Sequence, residues 1–307
     1  MAPTPDRPFR LGTRASPLAV AQAELARDAL VAAHGWDVAA VELVPMVASG
    51  DRVQDRALAE IGGKALWTRE LDAALCDERT DASVHSLKDV ETIRPTMFEI
   101  AAILPRADAR DGLLGAESIA SLREGARVGT ASPRRAAQLK ARRPDLQVEL
   151  FRGNLGTRLA KLGRGEVDAT LIAMAGLVRL GMADRAVPLA IEEWLPAASQ
   201  GAIAIEVHAD NAEARAAVAR IDHKPSHAAV RAERALLLGL GGDCRSPVAA
   251  HARKEGGVLR LRAQLFATDG SAMVEGACDV GADEDGEALA ADLLARAPAS
   301  VAKLFAG

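Results

Sequence analysis

The first third of the chain alternates between short apolar runs and amphipathic segments. Phe9 to Gly12 has the pattern of a short strand. Ser16-Pro17 is typical of a helix start, because serine caps the first backbone amides and proline fits the first turn. Gly35 is expected to end this helix. One face of the predicted helix carries the apolar positions Leu18, Ala21, Leu25, Ala29 and Ala32.

The alternation continues through a second and a third predicted strand. Val38 to Val47 predicts a strand, residues 66–78 an amphipathic helix, and Ala82 to Ser86 a buried strand. Strands that alternate with helices predict a parallel α/β sheet, in which ligands bind beyond the carboxyl ends of the strands. Three loops are therefore expected to face one cleft, namely those of Arg14, of Gly62-Gly63-Lys64 and of Lys88-Asp89.

The same pattern recurs in the middle of the chain. Gly129-Thr130-Ala131-Ser132-Pro133 repeats the strand end and helix start of Gly12-Thr13-Arg14-Ala15-Ser16-Pro17. Asp168-Ala169-Thr170 likewise repeats Asp81-Ala82-Ser83 before a strand. We predict two α/β domains of similar topology around a cleft. The alternative is that strand–loop–helix units look alike by chance.

The last part of the chain has a different character. Val230 to Leu240 predicts a helix, two alternating runs predict antiparallel strands, and Thr268-Asp269-Gly270 is a hairpin turn signal. The apolar run Ala202 to Val207 is expected to add a strand to the first domain. The predicted division is 1–104 plus 201–220 for domain 1, 105–200 for domain 2, and 221–307 for a small α+β domain 3.

Composition excludes several classes of function. The 307 residues are 49% hydrophobic and 26% charged, which is ordinary for a globular protein. A net charge of −4 and 3% aromatic residues argue against a nucleic-acid partner. No apolar run approaches the roughly 20 residues of a membrane span, and Met1 to Arg10 lacks the apolar core of a signal peptide. Three cysteines do not make a disulfide framework. We expect a cytoplasmic protein with no membrane partner.

Cations collect at the predicted cleft loops of this acidic chain. Arg134 and Arg135 stand in the first turn of a predicted helix. The positive end of the helix dipole lies there, so each cation destabilises the helix by roughly 0.3–1 kcal/mol. Arg152-Gly153 and Arg158 form a second basic loop, and Arg14 precedes the first helix. Helix N-termini and arginines bind carboxylates and phosphates. The pattern predicts an anionic ligand with several charged groups, against the alternative of solvated surface arginines. No nucleotide-binding fingerprint is present.

Two other features can carry chemistry. Asp89 follows Lys88 at a strand end, where it can stay ionised and stabilise a cation, although spacing alone favours a loop salt bridge. Cys244 lies in a glycine-rich loop and is expected to be accessible, whereas Cys76 and Cys278 are expected to be packing residues. The three cysteines and six histidines show no metal-ligand spacing, so no metal site is expected.

Taken in order and spacing, the motifs resemble the hydroxymethylbilane synthase, or porphobilinogen deaminase, family over about Arg10 to Leu304. The resemblance implies two periplasmic-binding-protein-like α/β domains around a cleft and a small C-terminal α+β domain. It rests on Thr13-Arg14-x-Ser16-Pro17-Leu18-Ala19, Leu43-Val44-Pro45-Met46, Gly62-Gly63-Lys64, Val84-His85-Ser86-Leu87-Lys88-Asp89, Gly129-Thr130-x-Ser132-x-Arg134-Arg135, Arg152-Gly153-Asn154-x-Gly156-Thr157-Arg158, Gln200-Gly201-Ala202 and Cys244.

The resemblance also implies an activity. Members of this family are transferases of tetrapyrrole (haem) biosynthesis that condense four porphobilinogen molecules head to tail. They release ammonia at each step and free hydroxymethylbilane with water. Their dipyrromethane cofactor, made from two substrate units, is bound through a thioether to the cysteine that corresponds to Cys244. The family suggests a monomer with porphobilinogen as its small-molecule partner.

Site residues follow from the same resemblance. Each pyrrole ring bears an acetate and a propionate, so the growing chain is a polyanion. The implied catalytic residues are Asp89, Arg14 and Lys88, with Asp89 stabilising a cationic azafulvene through the pyrrole N–H. The implied cofactor-binding residues are Cys244, Ser16, Lys88, Thr130, Ser132, Arg134, Arg135, Arg152, Gly153 and Arg158. The implied substrate-binding residues are Arg14, Ser16, Arg152, Arg158, Arg179 and Gln200.

The sequence departs from the common family pattern without losing a charged residue of the site. Ala131 removes one hydroxyl contact to the cofactor, and Asp243 is expected to alter the ionisation of the Cys244 thiol. The other departures are Ala15, Ala65, Trp67 and Pro133.

Two rival interpretations remain open from the residues alone. A solute-binding protein also has two α/β domains around an anion cleft, but it needs no reactive cysteine, and its periplasmic form needs a signal peptide. A thiol enzyme that uses Cys244 needs a base, and neither His85 nor His251 has a spacing that assigns it that role.

Overall fold

We describe the fold from a computed structural model, which covers residues 3–48, 67–241 and 246–305. These residues divide into two compact units. The first unit comprises 3–48, 67–107 and 201–227, and the second comprises 108–200, 228–241 and 246–305. The division does not test the predicted boundaries of three domains, which stay a prediction.

A five-stranded mixed sheet forms the centre of the first unit. Its order is β2-β1-β3-β10-β4, with strands numbered along the chain. β1 is parallel to β2 and β3, whereas β10 is antiparallel to both β3 and β4. The strand expected at Ala202 to Val207 is confirmed as β10. The parallel arrangement predicted from the first three strands is confirmed for β1, β2 and β3, and β10 adds an antiparallel strand beside β3. The strands are β1 (Phe9–Arg14), β2 (Val41–Met46), β3 (Ala82–Ser86), β4 (Phe98–Ile103) and β10 (Ile203–His208).

Helix α1 (Pro17–His34) covers this sheet, and its predicted ends are confirmed. The Ser16 hydroxyl accepts a hydrogen bond from the Ala19 amide at 3.3 Å, and Gly35 ends the helix with φ +66°. Its predicted apolar face is wrong, because alanine at so many positions leaves the hydrophobic pattern without a clear phase. The side chains that pack against the sheet are those of Ala23, Ala26 and Leu30. The other helices of this unit are α2 (Arg69–Cys76) and α6 (Ala212–Ala219).

The second unit contains a sheet of related topology. Its order is β7-β6-β8-β5-β9; β6 is parallel to β7 and β8, and β5 is antiparallel to β8 and β9. Each five-stranded sheet therefore has three parallel strands with one antiparallel strand beside the third, as the predicted repeat requires. The strands are β5 (Asp111–Leu114), β6 (Arg127–Thr130), β7 (Gln147–Leu150), β8 (Ala169–Ala173) and β9 (Val187–Pro188), and the helices are α3 (Pro133–Arg142), α4 (Leu155–Gly163) and α5 (Met174–Arg179).

The C-terminal part of the chain forms a three-stranded antiparallel sheet covered by helices. Gly286 permits close contact of two helices there, since a Cβ at this position would lie 2.8 Å from the Ala232 carbonyl oxygen. The predicted α/β fold class with a small α+β segment is confirmed. None of the helices in the described ranges is long and apolar enough to cross a membrane. The elements are β11 (Val248–Glu255), β12 (Val258–Phe266), β13 (Met273–Val280), α7 (Lys224–Gly239), α8 (Glu284–Arg296) and α9 (Ala299–Ala302).

Candidate active site

A pocket in the first unit lies at the carboxyl ends of β1 and β3. Arg14 is the last residue of β1, and Asp89 ends the 3₁₀ turn Leu87–Asp89 that follows β3. The Arg14 guanidinium carbon stands 4.1 Å from the centroid of the Trp67 ring. The loops of Arg14 and Asp89 thus share one pocket, as predicted, whereas Gly62-Gly63-Lys64 lies outside the described residues. The pocket is lined by Arg14, Ala19, Gln22, Trp67, Val84, His85, Ser86, Asp89 and Val90.

Asp89 presents a half-buried carboxylate to this pocket. No hydrogen bond or ion pair joins that carboxylate to any residue that the structure describes, so the Lys88 salt bridge favoured by spacing is absent. Beside it, Gln22 Nε2 donates to Ser86 Oγ at 2.8 Å, which fixes both side chains. Asp89 is therefore held by its backbone turn and open to a donor from a ligand.

Ser16 and Lys88, two other predicted site residues, take different places. Ser16 caps α1 with its hydroxyl, and Lys88 is the middle residue of the turn that ends at Asp89. Among the described residues, neither belongs to the pocket lining. The structure therefore brings Arg14 and Asp89 together and leaves the other two at the margin.

In the second unit, Arg134 and Arg135 are buried rather than solvated. Their exposed fractions are 3% and 6%, so the alternative of surface arginines is wrong for this pair. Ser132 caps α3 and accepts a hydrogen bond from the Arg135 amide at 3.4 Å. Both guanidinium groups reach Asp111 on β5: Arg134 Nη1 lies 2.7 Å from Oδ2, and Arg135 Nη2 lies 2.6 Å from Oδ1.

Asp111 accepts hydrogen bonds from two further side chains. Trp194 Nε1 donates to Oδ2 and Gln200 Nε2 donates to Oδ1, each at 2.8 Å. Burial alone raises the pKa of Asp111, but Arg134 and Arg135 outweigh burial and hold this pKa well below its ordinary value. With four donors the carboxylate is saturated and stays ionised.

The cluster of Asp111, Arg134 and Arg135 carries a surplus positive charge. Two guanidinium groups face one carboxylate, and the buried Nε–H groups of both arginines have no hydrogen-bond partner among the described residues. A buried cation without a full set of partners is costly. A carboxylate from a ligand would supply the missing charge and acceptors, so the cluster fits an anionic cofactor or substrate.

The remaining predicted residues of this unit lie after its parallel strands or on the helices that follow. Thr130 ends β6, and its hydroxyl accepts a hydrogen bond from the Ser132 amide at 3.1 Å. Arg152 is buried and follows β7, and Gly153 has φ +119°, where a Cβ would lie 2.7 Å from Thr157. Arg158 stands in the first turn of α4. Arg179 ends α5, where burial lowers its pKa to about 10.

Sequence reasoning missed the buried carboxylates that organise the two units. Asp111 opens β5, of which every residue is buried, and Glu206 interrupts the apolar run of β10. A charged residue within a buried strand must be paired. A single acidic residue in an apolar run of the sequence could therefore have indicated each of these buried carboxylates and a cationic partner. Cys244 and Asp243 lie outside the described residues.

Comparisons with known proteins cover almost the whole chain. Residues 9–216 match the family model for the porphobilinogen deaminase dipyrromethane cofactor-binding domain, and residues 227–295 match the model for the porphobilinogen deaminase C-terminal domain. The chain belongs to the porphobilinogen deaminase family. The resemblance predicted from the motifs is confirmed, and the chain is accordingly a transferase.

Named relatives agree with this family. A porphobilinogen deaminase of Sphingopyxis alaskensis is 59% identical over 309 residues, covering 99% of this chain and 98% of the relative. One from Paracoccus denitrificans is 47% identical, covering 97% of each chain. Among solved structures, an ABC-transporter periplasmic substrate-binding protein from Coxiella burnetii is 16% identical with a TM-score of 0.43, covering 71% of this chain and 93% of that one. The assignment to the porphobilinogen deaminase family rests on the sequence matches.

Proposed function

We propose that this member of the porphobilinogen deaminase family makes hydroxymethylbilane by head-to-tail condensation of four porphobilinogen molecules. Ammonia leaves at each step, and water frees the product. The observation that carries the assignment of residues is the pocket of the first unit, which Arg14 and the half-buried Asp89 both line. One cation and one anion in a single pocket suit a substrate that has both carboxylates and N–H groups.

Asp89 would stabilise the charge that develops on the substrate. When the C–N bond of the aminomethyl group breaks, ammonia takes the electron pair and positive charge spreads into the pyrrole ring. A carboxylate that accepts the pyrrole N–H is placed where that charge appears and lowers the barrier more than it tightens binding. The absence of a competing partner among the described residues leaves the carboxylate oxygens of Asp89 ready for this role.

Arg14 would bind a carboxylate of the substrate and orient the ring over Asp89. Its guanidinium group stacks on Trp67, which limits the positions that the long side chain can take. A guanidinium binds a carboxylate through two parallel N–H bonds. Lys88, in the same turn as Asp89, adds a second cation. We propose Asp89, Arg14 and Lys88 as the catalytic residues.

The cluster around Asp111 fits the dipyrromethane cofactor, whose rings bear carboxylate groups. Arg134 and Arg135 have buried N–H groups to donate, and α3 adds its N-terminal dipole. When bound, by a thioether to Cys244 in our proposal, the cofactor supplies the pyrrole carbon to which the first substrate unit is joined. The proposed cofactor-binding residues besides Cys244 are Ser16, Lys88, Thr130, Ser132, Arg134, Arg135, Arg152, Gly153 and Arg158.

Further cations would bind the lengthening chain. Burial lowers the pKa of Arg179 to about 10, because it disfavours the charged form, so an anionic ligand beside this guanidinium would be stabilising. Gln200 is tied to Asp111 and to the Ala109 carbonyl oxygen, each at 2.8 Å. We propose Arg14, Ser16, Arg152, Arg158, Arg179 and Gln200 as the substrate-binding set, in a cytoplasmic monomer without nucleic-acid or membrane partners.

Substitution of Asp89 tests this proposal. We expect Asp89→Ala to abolish the conversion of porphobilinogen, because no acceptor replaces the carboxylate, and Asp89→Glu to keep a small remnant. The matched control is Asp77→Ala, which removes an exposed carboxylate at the end of α2 and should leave turnover unchanged. Wild-type turnover in Asp89→Ala would show that the assignment of Asp89 is wrong.

A further inference from the structure

Glu233 is a buried acid on α7 to which the proposed reaction assigns no role. It has no exposed surface, and both of its carboxyl oxygens accept main-chain hydrogen bonds. The Ser199 amide donates to Oε2 at 2.6 Å, and the Ala252 amide of β11 donates to Oε1 at 2.7 Å. One side chain therefore fixes a helix, a strand and the loop that contains Ser199 to one another.

The loop that Glu233 holds is a tight turn over residues 197–200. The Gln200 amide donates to the Ala197 carbonyl oxygen at 3.1 Å, which closes the turn. Ser199, the third residue of the turn, has φ +62°, a left-handed conformation that suits glycine and strains serine. The hydrogen bond from the Ser199 amide to Glu233 therefore stabilises a backbone that serine by itself does not favour.

The turn directs Gln200 into the cluster of Asp111, Arg134 and Arg135. Gln200 Nε2 donates to the Ala109 carbonyl oxygen and to Asp111 Oδ1, each at 2.8 Å, so both of its N–H bonds end on acceptors. The same Oδ1 accepts the hydrogen bond from Arg135 Nη2 at 2.6 Å. The backbone of the turn thus helps to set where Asp111 and Arg135 meet.

The residues just before the turn bind the other arginine of the cluster. The Leu195 carbonyl oxygen accepts hydrogen bonds from Arg134 Nη1 and Gln138 Nε2, each at 3.1 Å. The Pro196 carbonyl oxygen accepts one from the Ala250 amide of β11 at 3.0 Å. The segment 195–200 is therefore hydrogen-bonded both to β11 and to the cluster.

We propose that Glu233 is a positioning residue for the dipyrromethane cofactor. By holding the turn 197–200 it keeps Gln200 and Leu195 in place, and through them Arg135 and Arg134, the cations proposed for the cofactor's carboxylates. Groups that are ordered in advance lose less conformational freedom when their ligand arrives, so the ordered cluster binds the cofactor more tightly. This inference rests on the proposed function.

The test measures how fast the full-length apoprotein, produced in cells that make no porphobilinogen, gains the mass of two linked pyrrole units when porphobilinogen is added. Glu233→Gln keeps the size of the side chain but turns an N–H donor toward one of the two main-chain N–H groups. Because this removes one buried hydrogen bond, we expect intact mass to show adduct formation slowed about tenfold. Formation at the wild-type rate would overturn the inference.

A second substitution separates positioning from general stability. Glycine adopts φ +62° without strain, so Ser199→Gly added to Glu233→Gln should bring adduct formation back to within about threefold of the wild-type rate. The matched control adds Glu78→Gly instead, which relaxes an exposed residue with φ +52° in the first unit. It should stabilise the protein without changing the slow rate. Recovery in both double variants, or in neither, would contradict the inference.

Gln200→Leu tests the same path should Glu233→Gln not fold. It removes the donor to Asp111 but keeps a side chain of similar size, and we expect it to slow adduct formation about tenfold. An unaffected rate would again count against the role of Glu233. A folded wild-type apoprotein that never gains the mass of two pyrrole units would instead overturn the proposed function.

Discussion

Asp111 accepts hydrogen bonds from two arginines, a tryptophan and a glutamine while it has no exposed surface, and Glu206 is bound on both oxygens by one arginine. Removal of such a carboxylate destabilises the fold by more than the net interaction energy of the carboxylate with its partners. Removal of one partner leaves the others charged in a medium that solvates them poorly. At the scale of single residues, the stability of each unit therefore depends on one buried acid.

The pH dependence of unfolding tests the role of Asp111. Its pKa in the folded protein lies well below the ordinary value of 3.8, so its contribution to stability is complete above that value and is lost as the pH falls below it. We expect Asp111→Asn to lower the free energy of unfolding by about 3–5 kcal/mol at pH 7. The difference between variant and wild type should shrink below pH 3.8 in urea titrations. A difference that is constant with pH would contradict this assignment.

Ser199 provides a second test at this scale. It is buried, has φ +62°, and its hydroxyl has no hydrogen-bond partner among the described residues. The left-handed conformation costs a non-glycine residue roughly 1–2 kcal/mol. We expect Ser199→Gly to raise the free energy of unfolding by about 1 kcal/mol. The control, Ser199→Ala, removes the unpaired hydroxyl but keeps the left-handed backbone, so it should raise the free energy of unfolding by less. If the thermal midpoint of Ser199→Gly is no higher than that of Ser199→Ala, the backbone at this position is not strained.

The sequence predicts the cations of the site but not their partners. Ser132-Pro133 marks a helix start, so Arg134 and Arg135 could be placed in its first turn without a structure. Asp111 is 23 residues before Arg134 in the chain and lies on a different strand. The antiparallel pairing of that strand brings the three groups together. No local pattern in the sequence predicts this pairing.

Among the helices and strands, the features set by local chemistry were predicted well. The capping serines mark the starts of α1 and α3, and β3 was predicted with its observed bounds. The features that depend on distant contacts were not. The buried face of α1 is decided by the sheet it covers, and the antiparallel orientation of β5 and β10 depends on where the chain passes between the two units.

Gly270 tests how one hairpin is fixed against a helix. It has φ +74°, and a Cβ there would lie 2.5 Å from the Ala141 amide nitrogen of α3. We expect Gly270→Ala to destabilise the protein by about 2–4 kcal/mol, through backbone strain and the clash together. In the turn between β11 and β12, Gly256 has φ +57° with open space around it. Gly256→Ala should therefore lower the free energy of unfolding by only about 1 kcal/mol in the same urea titration. Equal destabilisation by the two variants would show that the alanine side chain at position 270 does not clash with the helix.

Across the whole molecule, each of the two related sheets contains an antiparallel strand that lies close in sequence to a crossing of the chain from one unit to the other. β5 follows the first four strands in sequence and belongs to the second sheet, and β10 follows the second sheet and belongs to the first. The order of motifs along the full chain predicted the family, and matches over 9–216 and 227–295 confirm it. The covalent link is different, because no local pattern besides family resemblance points from Cys244 to a cofactor.

The most direct test of the central claim is the intact mass of the purified protein under denaturing conditions, before and after brief exposure to porphobilinogen. We predict a mass greater than that of the sequence by two linked pyrrole units, mapping to Cys244, and further units that are added stepwise by substrate. A Cys244→Ser variant should show the bare mass. A wild-type protein that is folded, has the bare mass and does not change with porphobilinogen would contradict the claim.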